Sequence, residues 1–238
     1  MSQIFFTADT HYGHTNIASK EGSQWKAGWR SFKDVKDMNW NLINQINKIV
    51  GPEDTLYHLG DWSFGGIENI WKFRSQITCQ NIHLILGNHD HHIEEDRILP
   101  NVISTEPYGS MFIDGNPNDY GAITPGDGEY PNYVKARRLF SSISHYKEIK
   151  TSAGIIVLSH YGHRVWHGSH KGWIHLYGHS HGSLPMYGKS MDVGVDSAKI
   201  LLGDYRPFYL SEIVQIMRNR SVDFPDHHSS ETNTGKVK

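Results

Sequence analysis

The chain has 238 residues, 37% of them hydrophobic, with 23 Lys and Arg against 25 Asp and Glu, a formal net charge of -2 with histidine neutral. That length suits one large domain with its own core, and the near-neutral balance excludes a long duplex nucleic acid as the main partner. A single cysteine, Cys79, excludes an internal disulfide framework, and no apolar run approaches the length of a membrane span.

The opening residues carry no basic stretch followed by an apolar core, so no secretory leader is expected and the cytoplasm is the expected compartment. Ile4 to Ala8 reads as a strand that runs into Asp9-Thr10-His11. A polar stretch to Lys33, holding Trp25, Trp29 and Arg30, reads as a loop or short helix. Asp34 to Val50 is predicted to be an amphipathic helix: Val35, Met38, Leu42, Ile46 and Ile49 recur at helical steps, Asp34 caps the start and Gly51-Pro52 stops the end. Thr55 to Leu59 reads as a second strand running into Gly60-Asp61. Ile67 to Ile77 reads as a second helix. Leu84-Ile85-Leu86 then runs into Gly87-Asn88-His89-Asp90. The β-α-β-α-β alternation so far predicts an α/β sheet with helical crossovers.

The pattern breaks from about 101 to 133, a stretch rich in Gly, Pro, Asn, Asp and Tyr, and the segment 101–140 is expected to be a long loop insertion, either a lid or specificity loop over the site or a disordered stretch. Short strands resume at 142–146, 154–158, 173–177 and 191–195. They read as meandering or hairpin strands, because helical patterns are scarce there. Residues 211–217 are predicted to form a closing helix capped by Ser211. The organisation expected is one domain over 1–220 and a disordered polar tail over 221–238.

Five of these strands deliver Asp, Asn or His at their carboxyl ends: Asp9 and His11, Asp61, Asn88 with His89, His160, and His179 with His181. In extended chain, residues i and i+2 point the same way, so Asp9 with His11 and His179 with His181 each present two groups on one side. Even without His89, two Asp, one Asn and four His are too many for one ion and suit two ions sharing a carboxylate. The mixed nitrogen and oxygen set favours Mn, Fe, Co, Ni or Zn over Mg or Ca. No phosphate-cradling G-x-x-x-x-G-K-[ST] loop and no H-E-x-x-H helix occurs.

These five motifs, in this order from Asp9 to His181, resemble those of the calcineurin-like metallophosphoesterases, the dinuclear metallophosphatases. The resemblance implies a four-layer αββα sandwich of two mixed β-sheets flanked by helices. It makes Asp9, His11 and His181 ligands of one ion and Asn88, His160 and His179 ligands of the other. Asp61 bridges them, and His89 is the catalytic histidine. The implied function is a two-metal hydrolase, with manganese the first expected ion. It would cleave small phosphate esters, nucleotides among them, by in-line attack of a metal-bridging hydroxide. A nuclease acting on nucleic-acid ends and a non-catalytic scaffold of the same fold are the alternatives. Arg164 and Arg30 are candidate phosphate clamps, and His14 and His58 are candidate substrate contacts. Asp90 either orients His89 or caps the following turn. Trp25, Trp29 and Trp166 are candidates for stacking a nucleobase, against the alternative that they anchor packing.

Overall fold

The computed structural model describes residues 2–21, 23–26, 28–105, 109–112 and 133–223. The first half runs β1 (Ile4–Thr7), α1 (Thr15–Ala18), α2 (Val35–Ile49), β2 (Thr55–His58), α3 (Glu68–Arg74), β3 (Asn81–Ile85) and α4 (His91–Glu94). Next come β4 (Ile98–Thr105), β5 (Gly109–Phe112), β6 (Tyr133–Lys135) and β7 (Ser142–Ser144). The chain continues through β8 (Tyr146–Thr151), β9 (Gly154–Ser159), β10 (Ile174–Tyr177) and β11 (Ser190–Asp192). It closes with α5 (Val195–Leu202), β12 (Phe208–Tyr209) and α6 (Leu210–Arg218).

Two mixed sheets form the body. The first has the order β12-β1-β2-β3-β7, all parallel except β12, and the second has the order β11-β10-β9-β8, all parallel except β8. Strand alternation builds both cores. Phe5, Leu56 and Leu84 face outward and meet Ile46 of α2 and Ile70 and Phe73 of α3. Their neighbours Phe6, Tyr57 and Ile85 face the second sheet and meet Ile156, Leu158, Leu176 and Met191. Ile213 and Met217 of α6 join that inter-sheet core. The architecture is thus two mixed sheets with flanking helices, as the motif order implies.

α2 begins where its sequence says it should: the Asp34 side chain accepts the Asp37 N–H at 2.9 Å, and Met38, Leu42 and Ile46 are buried. The closing helix starts one residue earlier than expected, and Ser211 is not its cap. Glu212 instead accepts the Tyr209 backbone N–H at 2.9 Å and is held by Arg206.

Two further expectations are corrected. β9, β10 and β11 are parallel neighbours rather than hairpin partners; within that sheet β8 and β9 form the hairpin. The crossover from β9 to β10 is the irregular segment 160–173, which lies over the outer face of the second sheet against His175. The stretch read as irregular contains β4 and β5, and with β6 they form an antiparallel three-stranded sheet. Of the 101–140 insertion, residues 106–108 and 113–132 lie outside the described residues, as do residues 224–238 of the 221–238 tail. Among the described residues, no helix is long and apolar enough to cross a membrane.

Candidate metal centre

The parallel ladders continue past the strand ends and bring the motifs together. Asp9 N–H donates to the Gly60 carbonyl at 2.9 Å, His11 N–H to the Asp61 carbonyl at 3.0 Å, and Gly178 N–H to the His160 carbonyl at 2.9 Å. The backbone then turns sharply. Asp9, His11, Asp61, His179 and His181 all have left-handed φ, between 47° and 66°. The only other non-glycine described residue with such φ is Asp96. Left-handed backbone at non-glycine residues costs of order 1–3 kcal/mol each and persists where the surroundings over-determine it. Five such residues around one point mark a site that the fold holds in place.

Gly60 and Gly87 are required there by close approach. A Cβ at Gly60 would sit 2.5 Å from His160 Nδ1, and one at Gly87 would sit 2.6 Å from Asp61 N and 2.8 Å from His160 Cε1.

Two groups of donors converge. In one, ligand atoms of Asp9, His11 and His181 lie within 4.8 Å of one another; in the other, those of Asp61, His160 and His179 do. Asp61 Oδ2 stands between them, 3.4 Å from His11 Nε2 and 3.6 Å from His160 Nε2. Asn88 Oδ1 lies 3.1 Å from His160 Nε2.

His160 Nδ1–H donates to the Leu59 carbonyl at 2.7 Å, so in the neutral ring Nε2 carries only a lone pair. That lone pair faces the oxygens of Asn88 and Asp61, with no proton among the three. Both ring nitrogens of His11 are buried without a hydrogen-bond partner. Burial, then the Arg30 charge and neighbouring histidines, hold His11 well below the ordinary histidine range. Burial, then Asp192, Asp61 and Asp196, push Asp9 well above the carboxylate range. A cluster of acceptor oxygens and imidazole nitrogens, buried at Asp9, His11, Asp61 and His160, is what cations satisfy; the residues present fit two divalent ions.

A supporting layer orients these groups. His181 Nδ1–H donates to Asp196 Oδ2 at 2.7 Å, which leaves Nε2 for a ligand. Asp192 accepts from Ser180 Oγ and from the backbone N–H groups of Gly182 and Gly194, pinning the loop that carries His179 and His181. Neither Asp192 nor Asp196 is among the residues singled out from sequence. A signal existed: a short strand, Gly194, then Asp196 repeats the device of the other motifs. Asp90 has neither expected role. Its carboxylate accepts the N–H groups of Asp61 and Gly87 at 2.8 Å and of Trp62 at 3.0 Å, clamping two motif loops together. Burial pushes its carboxyl up to about 7, against those three bonds.

His89 belongs to neither donor group. Its backbone N–H donates to Asp61 Oδ1 at 2.9 Å, and its half-buried ring stands 5.4 Å from that of His11. His14 is buried beside it, stacked on Phe64 with ring centroids 3.9 Å apart. Burial, then His89 and Arg30, bring His14 down to about 4.

Two candidate substrate contacts, Arg30 and His58, are corrected. Arg30 is only 2% exposed. Its guanidinium is fully occupied by Asp196, at 2.8 Å through two bonds, and by the carbonyls of Asp9 and Thr10. His58 is buried against Trp62 and bonds Thr10 Oγ1 at 2.8 Å, and burial brings it down to about 3. Arg164 is exposed and lies 3.7 Å over the Tyr187 ring. Trp166, a stacking candidate, is buried with its indole N–H on the Trp173 carbonyl.

Residues 2–211 match the family model described as calcineurin-like phosphoesterase. "Uncharacterized protein MJ1445" of Methanocaldococcus jannaschii is 34% identical over 101 residues, covering 42% of this chain and 53% of that protein. "Gene 66 protein" of Mycobacterium phage D29 is 35% identical over 98 residues, covering 38% of this chain and 41% of that protein. The chain thus spans about half or less of the length of these curated relatives. A solved structure, the protein of unknown function AQ665 from Aquifex aeolicus, aligns with a TM-score of 0.51 at 18% identity. The alignment covers 91% of this chain and 100% of that one, a likeness of fold alone.

Proposed function

We propose, from the premise that the chain belongs to the calcineurin-like phosphoesterase family, that it is a two-metal hydrolase of small phosphate esters. The observation that carries this reading is Asp61, one buried carboxylate whose Oδ2 lies 3.4 Å from His11 Nε2 and 3.6 Å from His160 Nε2. Asp9, His11 and His181 would hold one ion, Asn88, His160 and His179 the other, and Asp61 both. Bound there, divalent cations supply Lewis-acid charge to phosphoryl oxygens and a nucleophile from water at neutral pH.

The chain's own residues do the rest. Leu59 and Asp196 fix the tautomers of His160 and His181 through Nδ1, so both rings present a bare Nε2. His89 steadies Asp61 through its backbone N–H and keeps its imidazole at the rim, where it delivers a proton to the departing oxygen.

A small ester is favoured over a polymer by the near-neutral net charge and by a pocket beside the donors with no Lys or Arg among its described lining residues. The mixed imidazole, carboxylate and amide donors support manganese as the resident ion. The lone buried thiol suits the cytoplasm. The test is protein reconstituted with Mn, Ni or Zn and assayed on p-nitrophenyl phosphate, bis-p-nitrophenyl phosphate and cyclic nucleotides. Metal-dependent hydrolysis supports the reading; stoichiometric metal with no hydrolysis of any ester favours the scaffold alternative.

A further inference from the structure

Beside the donor groups lies a pocket of about 870 Å³, within the range of small-molecule sites. Part of its wall is the loop of His179 and His181. Trp25 and Trp29 come from the segment after the first motif, and Tyr161 follows His160 directly. Trp25 is 46% exposed and Tyr161 49% exposed. Trp62 and Trp166, by contrast, are buried.

These exposed rings are nevertheless held in place. Tyr161 stands edge-on to two donor histidines, with centroids 5.0 Å from His160 and 4.7 Å from His179. Trp25 stands edge-on to His14 at 5.1 Å. The one carboxylate lining the pocket, Asp196, is already bonded to Arg30 and His181. Apart from the two donor histidines, the described lining offers no Lys or Arg to hold further phosphates, while a flat uncharged ring would find π-faces beside the apolar side chain of Leu184.

We infer that this pocket receives a planar aromatic group carried by the phosphate ester, a nucleobase or an aryl ring, and that Trp25 and Tyr161 set the preference for it. The inference rests on the phosphoesterase reading of the donor groups and adds what hangs on the phosphate.

The test uses the metal-reconstituted full chain on adenosine 5′-phosphate, phenyl phosphate and ribose 5-phosphate, each as monoester and as methyl diester, followed by phosphorus NMR. Stacking of a base on an aromatic side chain is worth about 5- to 150-fold. kcat/KM for the adenosine or phenyl compounds should therefore exceed that for the ribose compounds by at least about 10-fold. The adenosine and phenyl arms tell a nucleobase site from a general aryl site. Trp25→Leu and Tyr161→Leu should each drive that ratio toward one through KM, and Trp25→Phe should restore most of it. Equal values for all three groups, or a preference that survives in the double Leu variant, would overturn the inference. If no compound is hydrolysed, the phosphoesterase reading fails and the pocket is judged by binding. Tryptophan quenching by adenosine 5′-phosphate at lower concentration than by ribose 5-phosphate, lost in Trp25→Leu, supports it; equal or absent quenching sinks it.

Discussion

Replacing Arg30 separates two roles that the residue type alone cannot. A phosphate clamp meets solvent and substrate, and its loss raises KM without changing stability. An internal strut does the reverse. In the structure the Arg30 guanidinium makes two 2.8 Å bonds to Asp196, one of 3.1 Å to the Thr10 carbonyl and one of 2.5 Å to the Asp9 carbonyl. Arg30→Ala would leave the Asp196 carboxylate with only His181 as a charged or protic partner, and would strip donors from two buried carbonyls. Breaking a buried ion pair by removing one partner costs about 3–5 kcal/mol. The stranded carbonyls add an overlapping share of about 1–3 kcal/mol each, so roughly 4 kcal/mol is a conservative sum. With a urea m-value of about 2 kcal/mol/M, that lowers the unfolding midpoint by about 2 M. Arg30→Lys keeps the charge and loses the planar fork, so it should fall between the two. The assay is equilibrium urea unfolding of the metal-free proteins. An Arg30→Ala protein that unfolds within about 0.5 M of wild type, and shows only a raised KM, would refute the reasoning and restore the clamp.

Gly87→Ala puts a Cβ 2.6 Å from Asp61 N and 2.8 Å from His160 Cε1, so Asp61 and His160 must shift. We expect destabilisation of about 1–3 kcal/mol and loss of metal measured by elemental analysis; wild-type metal content would contradict it. His89→Ala should keep its metals and lose turnover by about 10²–10⁴-fold, and loss of metal instead would reassign His89 as a ligand. His175 is buried between the Val157 carbonyl and the His163 N–H, and burial holds it at about 4. The unfolded chain binds that proton first, so stability from neutral His175 is complete above pH 6.5 and is lost as pH falls toward 4, by about 3 kcal/mol. The stability difference between wild type and His175→Gln should shrink across that window; a constant difference would count against it.

The donor set was legible because each motif is local: an apolar run, a glycine or sharp turn, then Asp, Asn or His. Continuation of the β1–β2 and β9–β10 ladders past the strand ends turns that local signal into a shared point. Strand direction in the second sheet was not legible. A parallel pair needs a crossover, and residues 160–173 make theirs without helical periodicity, so the pattern reads as hairpins. α5 was hidden because Val195, Ala198, Ile200, Leu201 and Leu202 surround it with apolar groups instead of forming a stripe. Arg30 looked like a clamp because its partner Asp196 is 166 residues away. Asp90 was misjudged because its partners are backbone N–H groups of Gly87, Asp61 and Trp62, which no side-chain pattern announces.

Elemental analysis of purified, metal-supplemented wild type and Asp61→Asn tests the account most directly. Two equivalents of transition-metal ion per chain in wild type, with both sites weakened in Asp61→Asn, is the predicted result. No stoichiometric metal in wild type, or an Asp61→Asn protein that retains both ions at wild-type affinity, would contradict it.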